Sequence, residues 1–130
     1  MWTPPVSRYM TPHPRVLSPD DKLSAVRILM HEHQVHHLPV VEDQILVGIL
    51  SDRDLVLMNT FEDRVRDAMT RDVASVTKET PLDEVVTLMA ARHFGSVVVV
   101  GKAGVEGIFT VHDALRALHD VLQREEESDR

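Results

Sequence analysis

The stretch 48-GILSDRDL-55 recurs 59 residues further along the chain as 107-GIFTVHDA-114. In both stretches a glycine and two apolar residues precede a serine or threonine, and an aspartate follows three positions later. A Ser or Thr three positions before an acidic residue, directly after an apolar run, is typical of a strand that leads into a helix. The chain is therefore predicted to make the same strand-to-helix turn twice.

The similarity extends far beyond these two turns. When the sequence is aligned with itself at this offset, more than ten positions between residues 6 and 54 are identical, whereas average amino-acid usage predicts about three. The identical pairs include Val6/Val65, Met10/Met69, Thr11/Thr70, Leu23/Leu82, Leu29/Leu88, Met30/Met89, Val40/Val99, Val41/Val100, Gly48/Gly107, Ile49/Ile108 and Asp54/Asp113. Because two copies are too few for a solenoid, we expect two half-modules packed about a pseudo-twofold axis.

Each copy is predicted to contain an extended piece, a helix, two strands and a second helix. The fold class is therefore α/β (α+β), with two β-α-β-β-α motifs. The first copy comprises residues 15–17, a helix opened by Pro19, Asp20 and Asp21, strands 37–41 and 45–50, and a helix over 51–58. The second comprises residues 74–76, a helix with Thr80 as N-cap and Pro81 as first residue, strands 96–100 and 104–109, and a helix over 110–123. We expect motifs at 6–58 and 65–122, a connector at 59–64 and a charged, frayed tail at 123–130.

Composition excludes several classes of protein. The chain of 130 residues is 43% apolar and 27% charged, which is typical of a globular domain. Its net charge of −7 and its aromatic content of 4% argue against binding of a nucleic acid polymer. The sequence has no cysteine, no apolar run long enough to span a bilayer and no signal-peptide pattern. We expect a cytoplasmic protein that does not enter the membrane.

The recurrent Ser/Thr-x-x-Asp has two interpretations, and the sequence alone leaves both open. In the structural interpretation it is a capping box, in which the hydroxyl and the acid satisfy free amides at the helix start. In the functional interpretation, the helix N-terminus attracts a phosphate or polar ligand, while the carboxylate accepts the two hydroxyls of a ribose. Capping does not explain why the acid is aspartate behind Gly-Ile in both copies.

The doubled β-α-β-β-α unit resembles the CBS domain family, as a tandem pair of the kind called a Bateman module. The resemblance rests on 9-YMTPHPRVLSPDDKL-23, 68-AMTRDVASVTKETPL-82, 37-HLPVV-41 and the two turns quoted above, and it covers residues 6–122. It implies a stand-alone regulatory module, not an enzyme, that binds an adenosyl nucleotide such as AMP, ADP, ATP or S-adenosylmethionine. It also implies a homodimer that acts on an effector protein. No cofactor is expected beyond this regulatory ligand.

The same resemblance implies two clefts between the motifs. Cleft A takes Ser51, Arg53, Asp54, Val73, Ala74, Ser75, Phe94, Gly95 and Ser96, and cleft B takes Thr110, His112, Asp113, Pro14, Arg15, Val16, Val35, His36 and His37. The serine or threonine and the aspartate of each turn hold the ribose, whereas Arg53 and His112 are the nearest candidates for phosphate. Since Gly95 and Ser96 supply no cation where the first copy has two histidines, we expect a charged ligand in cleft B.

The segment 31-HEHQVHH-37 suggests a metal site at first sight, because His33 and His37 are four residues apart. However, Pro39 disfavours a continuous helix through both histidines, and the sequence offers no obvious complete set of ligands. We therefore expect His31 and His33 at a solvated helix end and no metal site. A histidine-dependent metal or pH sensor remains a minor alternative function.

Two further expectations concern activity and assembly. The sequence contains neither a defensible nucleophile–base–acid set nor a glycine-rich phosphate loop, so no catalytic residue is predicted. In the last helix, Leu115, Leu118 and Leu122 form an apolar stripe. We expect this stripe to be a dimer contact, with packing inside the module as the alternative. The main rival to nucleotide sensing is a ligand-free dimeric scaffold for other proteins.

Overall fold

The computed structural model describes residues 3–56, 58 and 62–128, with side chains up to Glu125. A 3-10 turn at Val6–Arg8 opens the chain. The strands are β1 (Thr11–Pro12), β2 (His37–Glu42), β3 (Ile45–Ser51), β4 (Ser75–Val76), β5 (Ser96–Gly101) and β6 (Gly104–Thr110). The helices are α1 (Leu23–His33), α2 (Asp52–Leu55), α3 (Val65–Ala68), α4 (Leu82–Arg92) and α5 (Val111–Ser128). Residues 59–61 of the predicted connector and 129–130 of the predicted tail lie outside the described residues.

The mixed α/β class and the repeated motif are confirmed. Helix α2 covers only Asp52–Leu55 of the helix predicted over 51–58, and the short elements β1 and α3 were not predicted. The four long strands begin where the repeat predicts them and run one residue further. The predicted extended piece at 15–17 forms only a parallel bridge from Leu17 to Val40. The last helix is longer than predicted, because α5 continues through much of the expected frayed tail.

The helix starts require two corrections. Helix α4 has Pro81 as its N-cap without a side-chain cap, and the Thr80 hydroxyl instead accepts a hydrogen bond from the Thr77 amide at 3.2 Å. Helix α1 begins at Leu23, and the Asp21 carboxylate accepts the Ser18 amide at 2.9 Å in the preceding turn. In both places a Ser/Thr or Asp side chain bonds to the backbone of its own turn rather than capping the helix.

The chain folds into two compact units that do not coincide with the two sequence copies. The α1 unit contains residues 14–73 and 102–105, and the α4 unit contains residues 1–13, 74–101 and 106–130. Each unit thus combines the body of one copy with the opening segment of the other.

In the α1 unit, β2 and β3 form an antiparallel hairpin. The turn residues Asp43 and Gln44 both have positive φ, which is the conformation that a two-residue hairpin turn requires. The predicted apolar face of α1 packs on this hairpin, which confirms the helical spacing. The buried core consists of Leu17, Leu23, Val26, Met30, Leu38, Val40, Leu50, Leu55 and Val65.

In the α4 unit, four strands form one sheet in the order β1-β6-β5-β4. The valine run of β5 is fully buried at Val97, Val98 and Val99, as expected for a strand covered on both faces. Its core consists of Val6, Leu82, Val85, Met89, Val97, Val99, Phe109 and Ala117.

The opening segments are held by a repeated contact between a glycine and a methionine. A Cβ at Gly48 would lie 2.8 Å from Sδ of Met69, and a Cβ at Gly107 would clash with Sδ of Met10. The segment after Met69 then bonds to β3, through Thr70 N to Ile49 O at 2.9 Å. The recurrence of both residue types in the sequence therefore has a packing cause.

Candidate ligand-anchoring turns

The first turn joins β3 to α2 and has the capping box that the sequence predicts. Ser51 is the N-cap, and its hydroxyl accepts a hydrogen bond from the Asp54 amide at 3.4 Å. In return, Oδ2 of Asp54 accepts the Ser51 amide at 2.8 Å and the Ser51 hydroxyl at 3.1 Å. The structural interpretation of this motif is therefore correct, and it fixes the direction of the carboxylate.

Capping uses only one of the two oxygens of Asp54. No donor among the described residues contacts Oδ1, and the side chain is half-buried. A carboxylate offers about four acceptor positions, two on each oxygen. The first turn can thus accept hydrogen bonds from a ligand without losing its cap.

The second turn joins β6 to α5 and repeats the backbone arrangement. Oδ2 of Asp113 accepts the Thr110 amide at 2.9 Å and the Thr110 hydroxyl at 3.2 Å. Here Oδ1 is also engaged, by Nη2 of Arg116 at 2.8 Å and by the Thr11 hydroxyl at 3.4 Å. Asp113 is only 2% exposed. This aspartate is thus a buried, fully bonded group.

Two histidines of the opening stretch of β2 lie beside the first turn. The Asp52 amide donates to the carbonyl oxygen of His36 at 3.0 Å, and Nδ1 of His36 lies 2.8 Å from Oδ2 of Asp52. His37 pairs with Ser51 in the hairpin register. The resemblance assigns both histidines to cleft B, whose ribose residues belong to the other unit. That assignment stays a prediction, whereas the contact with the first turn is observed.

The charges around the first turn influence one another. Burial lowers the pKa of His37 below its ordinary value, although the carboxylates of Asp52 and Asp54 oppose this change. The hydrogen bond from His36 lowers the pKa of Asp52. The turn thus places the carboxyl groups of Asp52 and Asp54 beside the exposed guanidinium of Arg53.

The corresponding part of the α4 unit is less polar. The Val111 amide donates to the Gly95 carbonyl at 3.3 Å, and Ser96 is buried. The Arg92 guanidinium lies 4.8 Å from the centre of the Phe94 ring. His112 is exposed within the turn, and its role near a phosphate stays a prediction.

The remaining predicted site residues divide between the units. Pro14, Arg15, Val16, Val35 and Val73 belong to the α1 unit, and Ala74 and Ser75 belong to the α4 unit. Val16 is 47% exposed, and Ser75 pairs with Val98 in the sheet. Each predicted cleft combines residues of both units, so the existence of the two clefts stays a prediction.

The histidine-rich segment shows no metal centre within the described ranges. No group of three or more His, Asp or Glu side chains there has the geometry to hold a metal ion. His31 and His33 lie exposed in the last turn of α1, as expected, and Gln34 ends this helix with φ of 52°. In the same part of the chain, no helix is long and apolar enough to cross a bilayer.

An apolar groove runs between α4 and α5 in the α4 unit. It encloses about 590 Å³ and is lined by Leu82, Val86, Val111, Ala114, Leu115, Ala117, Leu118 and Val121, with Thr3, Pro4, Asp83, Arg124 and Glu125 at its edges. Leu115, Leu118 and Leu122 are more than half exposed, at 59%, 52% and 55%. The stripe is therefore only partly covered within the α4 unit, and its use as a dimer contact stays a prediction. The contribution of α4 was not predicted.

Sequence reasoning also missed Arg116, which bonds to Asp113. The signal was present, because an acid and an arginine three positions apart lie on the same face of a helix. The Thr11 contact had no such signal, since it joins residues 102 positions apart.

Comparison with known proteins identifies the family. The CBS domain model matches twice, over residues 6–58 and 65–120. Inosine-5'-monophosphate dehydrogenase of Korarchaeum cryptofilum is 34% identical over 113 residues, which cover 85% of this chain and 24% of the enzyme. The chain therefore spans about a quarter of the length of this relative.

Solved structures agree in fold along nearly the whole chain. AcuB of Vibrio cholerae, named for acetoin utilization, is 30% identical with a TM-score of 0.84 over 97% of this chain and 98% of its own. CBSX2, solved in complex with AMP, is 26% identical with a TM-score of 0.82 over 91% of this chain and 98% of its own. From the two family matches and this shared fold, the chain belongs to the CBS domain family and carries two CBS domains in tandem.

Proposed function

We propose that this CBS pair is a regulatory module that binds an adenosyl nucleotide and transmits its binding state to a partner protein. CBS pairs are regulatory modules, and the related CBSX2 binds AMP. The observation that carries the proposal is the first capping turn, where Oδ1 of Asp54 is left unoccupied by the other described residues. This explains why the turn has an aspartate in a position where capping alone needs only one oxygen.

The proposed contacts follow from the chemistry of the turn. The two hydroxyls of a ribose donate hydrogen bonds to the Asp54 carboxylate, and the Ser51 hydroxyl adds a third partner. Arg53 is exposed in the same turn and provides a cation for the phosphate.

The module would act by changing the balance between two states of itself or of its complex. A ligand shifts such an equilibrium only by its difference in affinity for the two states. The proposal includes a homodimer, an effector protein that senses the change, and a cytoplasmic location where adenosyl nucleotides are available. It includes no catalytic step.

Thermal unfolding in the presence of nucleotides tests this function. Wild-type protein is heated with AMP, ADP, ATP, S-adenosylmethionine or NADH, beside Asp54→Ala and, as a matched control in the same turn, Asp52→Ala. At a ligand concentration a hundred times the dissociation constant, we expect stabilisation of about 2.7 kcal/mol in wild type. The Asp54→Ala variant should lose it, and Asp52→Ala should keep most of it. A loss of affinity for 2'-deoxy-AMP would identify the ribose as the recognised group.

The apolar groove favours a second candidate function, a ligand-free dimeric scaffold. A patch of exposed leucines on one helix is typical of a protein contact and does not depend on a nucleotide. No stabilisation by any of the five nucleotides would contradict nucleotide sensing and support the scaffold. Dimerisation that is unchanged in Asp54→Ala would agree with either function.

A further inference from the structure

The two turns use the acceptor positions of their aspartates differently. Asp113 receives four hydrogen bonds, two on each oxygen, from Thr110 N, Thr110 Oγ1, Arg116 Nη2 and Thr11 Oγ1. These fill all of the roughly four acceptor positions of a carboxylate. Among the described residues, Asp54 receives bonds only from Ser51 N and Ser51 Oγ, both on Oδ2. The sequence motif is the same, but only the first turn has capacity for a diol.

Arg116 accounts for the difference in hydrogen bonding between the two aspartates. Its Nη2 bonds to Oδ1 of Asp113 at 2.8 Å and to the carbonyl oxygen of Tyr9 at 3.0 Å, so the guanidinium is held from two sides. The residue at the corresponding position of the first copy is Leu57, which has no hydrogen-bonding side chain. The difference between the turns is therefore encoded in the sequence.

Displacing Arg116 would be unfavourable for a neutral diol. The Asp113 side chain is 3% exposed and that of Arg116 is 54% exposed, so the ion pair lies at the boundary of the interior. Ribose hydroxyls could donate to Asp113 in place of Arg116, but they carry no counter-charge. A carboxylate as buried as Asp113 would lose its ion-pair partner, and the removal of one partner from a buried ion pair is costly.

We propose that Arg116 closes the Asp113 turn to ribose, so that the CBS pair binds one nucleotide per chain, at Ser51 and Asp54. This inference rests on the proposed function and deepens it by stating which turn is used. It differs from the sequence-based expectation that a charged ligand prefers cleft B, and the titration below distinguishes the two. Asp113 instead has a structural role, because it links α5 to Thr11 of the opening segment and, through Arg116, to Tyr9.

Isothermal titration calorimetry with AMP measures the number of sites directly. Wild type should bind one AMP per chain, and Asp54→Asn should lose at least about tenfold in affinity, the loss of roughly one good hydrogen bond. Arg116→Leu introduces the residue type that the first copy has at this position, and it should bind two AMP per chain. Arg124→Leu is the matched control, because it removes an arginine two turns further along α5 and should still bind one.

Three results would overturn the inference. They are two AMP per wild-type chain, a single bound AMP that Asp54→Asn retains at full affinity, or a folded Arg116→Leu protein that still binds one. A wild type that binds none contradicts the proposed function itself.

A melting experiment without ligand distinguishes failure of the closed-turn inference from failure of the proposed function. The structural role of Asp113 predicts that Asp113→Asn lowers the melting temperature by about 5 °C more than Asp54→Asn, at equal protein concentration, because it breaks more and better buried bonds. Equal shifts in the two variants would contradict the closed turn, whether or not AMP binds.

Discussion

At the scale of single residues, Asp54 and Asp113 have the same motif and different surroundings. Both carboxylates accept the amide and the hydroxyl of their N-cap residue. Burial and Arg116 then make Asp113 a structural group, whereas Asp54 keeps a free oxygen among the described residues. A motif match alone therefore does not establish that a residue contacts a ligand, since the remaining acceptor positions decide whether it can.

His37 should make stability depend on pH. Because burial lowers its pKa below the ordinary 6.5, the unfolded chain binds this proton more readily than the folded one. The stability associated with neutral His37 is fully present above pH 6.5 and is lost as the pH falls below it toward the folded pKa. The free energy of unfolding in urea, measured from pH 8 to 5.5, should thus fall more steeply in wild type than in His37→Gln.

His33→Gln serves as the control, because this histidine is exposed at the end of α1. Its pH profile should follow that of wild type. Parallel profiles for wild type and His37→Gln would show that His37 does not cause the dependence. Above pH 5.5 Asp52 remains ionised, since the hydrogen bond from His36 lowers its pKa, so its titration does not contribute to these profiles.

At the scale of elements, the glycine before each turn admits the methionine of an opening segment. Gly48→Ala would place a Cβ 2.8 Å from Sδ of Met69 and 3.0 Å from the carbonyl oxygen of Thr70. We expect a loss of about 1–3 kcal/mol in the free energy of unfolding, which is typical of overpacking. Chemical denaturation of Gly48→Ala, of Met69→Ala and of the double variant measures this loss of free energy.

The double variant distinguishes side-chain crowding from backbone crowding. If the methionine is the main obstacle, Gly48→Ala should cost less in the Met69→Ala background than in wild type. An equal cost in both backgrounds would assign the strain to the Thr70 carbonyl instead. No loss in the single variant would contradict the packing account of the repeated glycine.

At the scale of the whole molecule, the groove between α4 and α5 is the surface that we expect to form the homodimer. Leu115, Leu118 and Leu122 are each more than half exposed on α5. An antiparallel pairing of two α5 helices would bury these leucines against their counterparts. Such a contact is isologous, as a twofold dimer requires.

Replacing an exposed leucine by a charge should dissociate this dimer. Leu118→Glu places an unpaired carboxylate in the middle of the apolar stripe, and we expect the dissociation constant to rise at least about a hundredfold. Sedimentation velocity over a range of protein concentrations measures this dissociation constant. Ile28→Glu on α1 is the matched control, since Ile28 is 59% exposed but lies in the other unit. Equal effects of the two substitutions would place the dimer contact elsewhere.

The sequence by itself was sufficient for the order of the longer helices and strands, the repeated motif and the capping box at Ser51 and Asp54, but not for the short elements β1 and α3. These features depend on short-range periodicity and on hydrogen bonds between residues three positions apart, so a local pattern encodes them. The errors at Thr80 and Pro19 are also local. There, side chains that can cap a helix bond to the backbone of a preceding turn instead.

Only the tertiary structure decided how the opening segments are shared and how deeply each aspartate is buried. Met10 and Thr11 pack with the body of the second copy, and Met69 and Thr70 pack with the body of the first. Such contacts join residues far apart in the chain, and periodicity within a window carries no information about them. Thr11 reaches Oδ1 of Asp113 through a contact of this kind, whereas Arg116 lies three positions away on the same helix. The repeat and the arginine of the second turn are thus properties of the sequence, whereas the burial of Asp113 and its bond from Thr11 come from long-range packing.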